Sequence, residues 1–411
     1  LQSMMGVFVM LAFAYFLSER KQSVQFRIVA KGVAFQFLIA FVFFKFSGIR
    51  HFFSYFNDAV FVLQEATNEG TRFVFGYLAG GPMPFDLNNP SANFLLAFQA
   101  LPLILVMSAL TALLYYLRVL PFLVHWFSWC LQKIMGIGGA IGLGASANVF
   151  IGMIEAPLLI KPYLKDLTRS ELFALMTCGM STIAGTVMAL YGAILSSVMP
   201  DAIGHILIAS LMSAPAALVI SHIMIPEKST DSKIIIPVKS EANSIMDAIT
   251  IGTKEGLALI LNIIAMLIVF VALVALLNKV LFLLPNLSGE PVSLQRILGF
   301  VMSPLVWLMG IPWSECLEAG SLMGVKTVLN EFIAYIQLSQ LGEGVLSDRS
   351  RMILTYAMCG FANFGGLGIM LGGLSQMVPD RRKEIVILGM RSMFAGTLAT
   401  SLTGAVIGIV Y

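Results

Sequence analysis

Charged side chains are scarce in this sequence. Asp, Glu, Lys and Arg make up 11% of its 411 residues, whereas 58% are hydrophobic. A soluble domain needs about 25% charged residues to cover its surface, so much of this surface must face something other than water. The apolar residues come in blocks long enough to cross a bilayer core, which takes roughly 20 helical residues. The composition therefore predicts an all-α polytopic protein embedded in lipid.

Several functional classes lack the residues that they need. None of the four cysteines forms a CxxC pair, so neither a metal site nor a disulfide framework is indicated. The sequence has no basic stripe for nucleic acid. The glycines at 136–139 follow no predicted strand and lack the spacing of a phosphate loop. An enzyme is disfavoured because the apolar segments offer no nucleophile–base pair.

The chain divides into four predicted regions. Basic residues gather at one set of connections, which the positive-inside rule places in the cytoplasm. The number of membrane crossings agrees with this orientation only if the segments around Glu155 and Glu331 enter and leave the membrane on the same side, as re-entrant hairpins. The regions are 1–121 (scaffold helices and an external connection at 47–94), 122–225 (first repeat: interfacial helix, hairpin, broken helix, helix), 226–290 (cytoplasmic loop and a long connecting helix from about 257) and 291–411 (second repeat).

Two stretches of the chain repeat the same landmarks in the same order. The landmarks are a glutamate (Glu155, Glu331), an Arg-Ser pair (Arg169-Ser170, Arg349-Ser350), a Cys-Gly pair (Cys178-Gly179, Cys359-Gly360) and a Pro-Asp pair (Pro200-Asp201, Pro379-Asp380). One span between the copies would turn the second copy upside down. Inverted repeats with broken helices are the build of many secondary transporters. The alternative is coincidence between two apolar segments.

Glu155 and Glu331 stand alone in apolar surroundings. A charged side chain at the centre of a membrane helix costs about 2.5–3.5 kcal/mol. Because no Lys or Arg lies within one turn of Glu155, and Lys326 is the nearest basic residue before Glu331, a bound cation or the donor groups of a substrate would offset that cost. Alternatively, either glutamate reaches the membrane interface or caps a hairpin.

Polar and small residues interrupt two spans, at 178–186 and 359–368. Unwound backbone at membrane depth survives where it lines a cavity or is buried in protein, and Asn363 offers both a donor and an acceptor. Close helix packing through glycines is the alternative. Near the first hairpin, Asn148, Ile151 and Thr182 supply oxygen ligands of the kind that a small hard cation prefers.

Four motifs, in order, resemble the concentrative nucleoside transporters. They are Asn148–Tyr163, Pro312–Cys316, Leu329–Tyr335 and Cys359–Phe364, and order and spacing fit from about residue 5 to the end. The resemblance implies eight spanning helices, two re-entrant hairpins, an inverted repeat with broken helices, and a homotrimer with one nucleoside site per subunit. The chain lacks the additional N-terminal helices of animal members, which favours a bacterial inner membrane.

The resemblance also implies roles for particular residues. Glu331 and Asn363 would hold the ribose with Phe361 beside the sugar, and Glu155 would work at the base end, facing Val187. Sodium would lie at Asn148, Ile151, Thr182 and Ile183.

This sequence departs from the family pattern at two places. Met153 and Ile154 stand where members usually have Gln-Thr, and Gly365 and Gly366 stand where they usually have Ser-Ser. Base readout is therefore in question, because discrimination comes from placed hydrogen bonds.

The sequence thus predicts a transporter that imports nucleosides by symport with Na⁺. Two alternatives remain open: H⁺-coupled symport of an ordinary, modified or C-linked nucleoside, and a passive nucleoside channel. Purine, pyrimidine and C-linked nucleosides all remain candidate substrates.

Overall fold

The computed structural model describes residues 1–85, 94–196, 198–199, 201–227, 242–286, 289, 291–342 and 344–411. Within these ranges the chain contains helices and no strand. The helices are α1 (Gln2–Phe16), α2 (Phe26–Lys45), α3 (Ser47–Phe75), α4 (Leu96–Gln99), α5 (Pro102–Tyr116), α6 (Val119–Met135), α7 (Gly139–Phe150), α8 (Glu155–Leu159), α9 (Arg169–Ser181), α10 (Gly185–Leu195), α11 (Ala202–Met224), α12 (Ile245–Leu281), α13 (Leu294–Met309), α14 (Cys316–Val328), α15 (Glu331–Gln340), α16 (Asp348–Met358), α17 (Phe364–Met377) and α18 (Arg382–Val410).

Six stretches in the described part of the chain are long and apolar enough to cross a bilayer. They are Phe26–Lys45, Leu96–Tyr116, Arg169–Leu195, Ala202–Met224, Ile245–Leu281 and Pro379–Val410. Shorter apolar helices accompany them, among them α1. The all-α polytopic class is confirmed. The number of eight spans and two re-entrant hairpins stays a prediction.

Both predicted helix breaks are present. The first separates α9 from α10 at 182–184, and the second separates α16 from α17 at 359–363. The second break has a local cause, since Asn363 caps the next helix by accepting a hydrogen bond from the Gly366 amide at 2.6 Å. Asparagine is among the best residues at this capping position.

The two breaks touch each other in the interior. The Phe361 amide donates to the Thr182 carbonyl oxygen at 3.3 Å. A Cβ on Gly360 would lie 2.8 Å from the Ser181 carbonyl oxygen, so the approach leaves no room for a side chain there. A backbone N–H of the second break thus forms a hydrogen bond with a carbonyl group of the first break, and buried backbone groups need such partners.

Helices follow one another in the same order in each half of the chain. α7 to α11 comprise a packed helix pair, a broken helix and a closing helix, and α14 to α18 repeat this order. The halves also pack on each other, α9 against α18 and α11 against α16. Of the repeated landmarks, Pro200 lies outside the described residues. The inverted orientation of the halves stays a prediction.

The structure corrects two details of the predicted regions. Over Ser47–Phe75, where the sequence predicts a connection, the chain forms the 29-residue helix α3. The connecting helix α12 begins at Ile245 rather than near 257, because the Ser244 hydroxyl caps it by accepting from the Asp247 amide. Most of the predicted cytoplasmic loop, 228–241, and residues 86–93 of the external connection lie outside the described residues.

Candidate functional site

A cavity of about 360 Å³ lies between the two helix breaks, the loops that precede α8 and α15, and one face of α12. Its size falls at the lower end of the range of about 300–1,000 Å³ that is typical of small-molecule sites. All eight residues that the sequence predicted to contact substrate line this one cavity. They are Met153, Ile154, Glu155, Val187, Glu331, Phe361, Asn363 and Gly366. Their individual roles stay predictions.

At one end of the cavity the carboxylate of Glu331 is held by two donors. The Tyr191 hydroxyl donates to Oε1 at 2.6 Å, and the Asn363 side-chain amide donates to Oε2 at 2.9 Å. Glu331 is 2% exposed. It is the first residue of α15, where Asn330 caps the helix by accepting from the Ile333 amide at 2.9 Å. A carboxylate in the first turn is favoured by the helix dipole.

The orientation of the Asn363 amide is fixed from both sides. Its oxygen accepts from the Gly366 backbone and its nitrogen donates to Glu331. Asn363 therefore uses both its acceptor and its donor within the protein. This end of the cavity presents a preorganised carboxylate whose remaining lone pairs suit hydroxyl donors.

Lys326 lies buried behind this end of the cavity. Its side chain is 0% exposed, and its ammonium has no hydrogen-bond partner in the described part of the structure. It lies within electrostatic range of the Glu331 carboxylate. A buried charge is retained when an opposite charge offsets its desolvation. Lys326 thus provides a positive charge for Glu331, although it lies more than one helical turn before Glu331 in the sequence.

The other end of the cavity is centred on Glu155, the first residue of α8. Gly152 has a φ of +143°, and a Cβ there would lie 2.5 Å from Oε2 of Glu155. Met153, Ile154 and Val187 make the neighbouring wall apolar.

The predicted cation ligands meet beside this end of the cavity. The Asn148 side chain is 1% exposed; its nitrogen donates to the Gly144 carbonyl oxygen at 2.9 Å, while its oxygen has no donor among the described residues. The Thr182 hydroxyl lies 3.3 Å from the Asn148 carbonyl oxygen. An orphaned buried amide oxygen is costly unless a cation or donor meets it, and oxygen ligands of this type suit a small hard cation. Ile151 and Ile183 adjoin this pair along the chain.

Several groups that the fold brings to the cavity were not predicted from the sequence. Tyr191 comes from α10, and Glu255 and Asn262 come from α12. Asn262 carried a signal, since it is the one polar side chain between Gly256 and Leu277. Nothing in the sequence pointed to Tyr191, because it lies 140 residues away from its hydrogen-bond partner Glu331.

Three family models match the chain. The model described as the N-terminus of a Na⁺ dependent nucleoside transporter matches residues 5–78, the corresponding C-terminus matches 205–408, and a model described as nucleoside recognition matches 97–198. Together they account for most of the described helices.

Relatives of similar length also match. The chain is 39% identical to the transporter YutK of Bacillus subtilis, covering 100% of this chain and 99% of YutK. It is 34% identical to the nucleoside permease NupC of Helicobacter pylori, covering 99% and 97%. It is 34% identical to sodium/nucleoside cotransporter 2 of Rattus norvegicus, covering 98% of this chain and 62% of that protein.

Solved structures share the fold. The structure of CNTnw in an inward-facing substrate-bound state matches with a TM-score of 0.90 at 33% identity, covering 100% of this chain and 98% of that one. A CNTnw variant in an outward-facing state matches with a TM-score of 0.91 at 33% identity, covering 100% and 97%.

Proposed function

The chain belongs to the concentrative nucleoside transporter family, and from that premise we propose that it imports nucleosides by symport with Na⁺. The observation that carries the proposal is the cavity, which joins a preorganised Glu331–Asn363 pair at one end to a mostly apolar wall at the other. A sugar presents hydroxyl donors to a carboxylate, and a base presents flat apolar faces to Met153 and Val187. The cavity thus suits a molecule that has both parts.

Sodium coupling is supported by the orphaned side-chain oxygen of Asn148. Asn148, Thr182 and the loop that ends at Glu155 lie close together, because Gly179 adjoins both the Asn148 side-chain oxygen and Met153. A cation bound there would order that loop and so favour nucleoside binding, which is the thermodynamic coupling that symport requires. Na⁺ is a co-substrate in this proposal and leaves with the nucleoside.

Uptake into proteoliposomes tests the coupling. A labelled nucleoside should accumulate against its gradient when an inward Na⁺ gradient is imposed, and an imposed proton gradient should have no effect. Accumulation that follows the proton gradient would make the protein an H⁺ symporter with Glu155 or Glu331 as the carrier. Downhill flux without accumulation would make it a passive channel.

A matched pair of variants locates the ion. Asn148→Ala removes the free oxygen and should raise the Na⁺ concentration for half-maximal uptake about tenfold, as expected for a lost ligand worth about 1.4 kcal/mol. Ser146→Ala is the control, since Ser146 is also buried on α7 and its hydroxyl donates within the helix to Gly142. Equal effects from both variants would place the ion elsewhere.

We further propose that the protein is a homotrimer in a bacterial inner membrane, with its two halves inverted about the midplane. The proposal rests on membership of the family, since resemblance to that family implies a trimer. Native mass spectrometry from detergent should give three times the mass of the chain, and a single-copy mass would contradict the trimer.

A further inference from the structure

Helix α12 contributes two polar residues to one wall of the cavity. Glu255 and Asn262 are seven residues apart, so they lie on one face of the helix, and both line the cavity together with Met266 and Phe270 of the same face. Elsewhere the cavity-lining residues of this helix are apolar. The Asn262 amide would be costly if it faced lipid. Because Asn262 lies on the cavity wall, its amide is kept away from lipid.

The polar groups at the two ends of the cavity differ in kind. At the Glu331 end, the Tyr191 hydroxyl and the Asn363 amide are both committed to the Glu331 carboxylate. At the opposite end, Glu155 and Glu255 lie within electrostatic range of each other. Both are exposed and both line the cavity. An ionised carboxylate is an acceptor with no proton to donate.

We propose that Glu255, with Asn262, reads the base of the substrate and selects nucleosides whose base carries an exocyclic amino group. This inference rests on the proposed function. Adenine, cytosine and guanine each present an N–H₂ donor, and a carboxylate accepts from such a group. A base with a carbonyl in that place would turn lone pairs towards the two carboxylates. Met153 and Ile154 have no donor for such a carbonyl, and the Asn262 amide, which is a donor as well as an acceptor, lies about two helical turns away from Glu255.

Two pairs of nucleosides isolate the amino group. Cytidine and uridine differ in an amino group against a carbonyl on the pyrimidine ring, and guanosine and inosine differ in one amino group on the purine. The purified protein in nanodiscs should bind the amino member of each pair more tightly by about ten- to a hundredfold, the range expected for one hydrogen bond to a charged group. Binding is measured calorimetrically in the presence of Na⁺.

Variants assign the preference to Glu255. Glu255→Ala should lower the preference for cytidine over uridine at least tenfold, chiefly by weakening the binding of cytidine. Lys254→Gln is the control, since Lys254 is the neighbouring residue of α12, is exposed and does not line the cavity. It should keep the wild-type preference. An unchanged unfolding temperature and an unchanged elution volume in size-exclusion chromatography show that Glu255→Ala is folded.

Each other outcome overturns a separate statement. Equal affinity for both members of each pair, or a preference that survives Glu255→Ala, overturns the role of Glu255 and leaves nucleoside transport standing. An equal loss of cytidine and uridine affinity that added Na⁺ restores would make Glu255 a cation ligand instead, and overturns base reading. Failure of the wild-type protein to bind any nucleoside overturns the proposed function and this inference together.

Discussion

Glu331 is held in place by groups that come from three parts of the chain. Tyr191 lies on α10, Asn363 lies in the second break, and Glu331 itself begins α15. Both partners donate, so they are satisfied when the carboxylate is ionised. A ligand hydroxyl then meets an acceptor whose orientation is already fixed, which reduces the entropy cost of binding.

Exchanging Glu331 for glutamine should therefore damage nucleoside binding more than any polar change at Met153. Glu331→Gln removes the charge to which Tyr191 and Asn363 donate and leaves one carbonyl acceptor in place of two, and affinity should fall about a hundredfold or more, as for two lost bonds to a charge. Met153→Gln removes no existing hydrogen bond and should alter affinity less than about tenfold. Calorimetric titration with one nucleoside measures both. Equal, mild effects would contradict the assigned roles.

Lys326 and Glu331 form a buried pair of opposite charges that no hydrogen bond joins. Removing one partner leaves the other as an uncompensated buried charge, which typically costs about 3–5 kcal/mol, whereas removing both can be nearly neutral. The pair therefore makes stability depend on both residues together.

A double-mutant cycle in thermal unfolding tests this coupling. Lys326→Met and Glu331→Gln should each lower the unfolding temperature, and the double variant should be more stable than the sum of the single losses predicts. Met fills most of the lysine volume, so a cavity contributes little. Additive losses would mean that Lys326 does not sense Glu331.

At the level of elements, the turn before α8 depends on Gly152. Its φ of +143° is rarely adopted by other residues, and a Cβ would collide with the Glu155 carboxylate. Gly152→Ala should therefore displace Glu155 and weaken nucleoside binding about tenfold or more. Gly368→Ala is the control, since it lies within α17 with open space around its Cα. This control should leave binding unchanged and slightly raise stability, because Ala favours helix.

The elements of the site were largely predictable from sequence, whereas their partners were not. Small and polar residues inside apolar runs located both breaks, and isolated carboxylates located Glu155 and Glu331. These signals are local. Tyr191 and Glu255 lie on other helices, far along the chain from Glu331 and Glu155, so that no local pattern identifies them. Lys326 was visible as the nearest basic residue before Glu331, but its burial was not. The helix α3 was missed because its mixed composition lacks a continuous apolar run, although its residues suit an amphipathic helix.

At the level of the whole molecule, a cluster of charges ties the turn after α1 to two distant helices. Glu19 accepts from Arg169 of α9 at 3.0 Å and pairs with Arg391 of α18. The backbone of Glu19 also donates to the Met224 carbonyl oxygen at the end of α11, at 2.9 Å. Four elements from the beginning, middle and end of the chain thus meet at one residue, Glu19.

The hydrogen bond from Arg169 is the main reason why the pKa of Glu19 lies below its ordinary value of 4.5, and the charge of Arg391 adds to it. The ionised form is thus favoured in the folded state. The stability that it contributes is present above pH 4.5 and is lost as the pH falls below that value. Because Arg169 and Arg391 are 39% and 44% exposed, solvent screens the cluster, and its contribution at neutral pH is about 1 kcal/mol or less.

Glu19→Gln should accordingly lower the unfolding temperature at pH 7 by a few degrees at most and remove part of the acid sensitivity. As the pH falls below 4.5 the wild-type protein should lose more thermal stability than the variant, since the substituted amide has no proton to gain. Glu69→Gln is the control, because Glu69 is exposed and its ion pair with Arg72 stays within α3. Thermal unfolding in detergent at several pH values measures all three proteins. If the wild-type protein and Glu19→Gln lose stability in parallel as the pH falls, other carboxylates govern the acid response and the cluster does not join the two ends of the chain energetically.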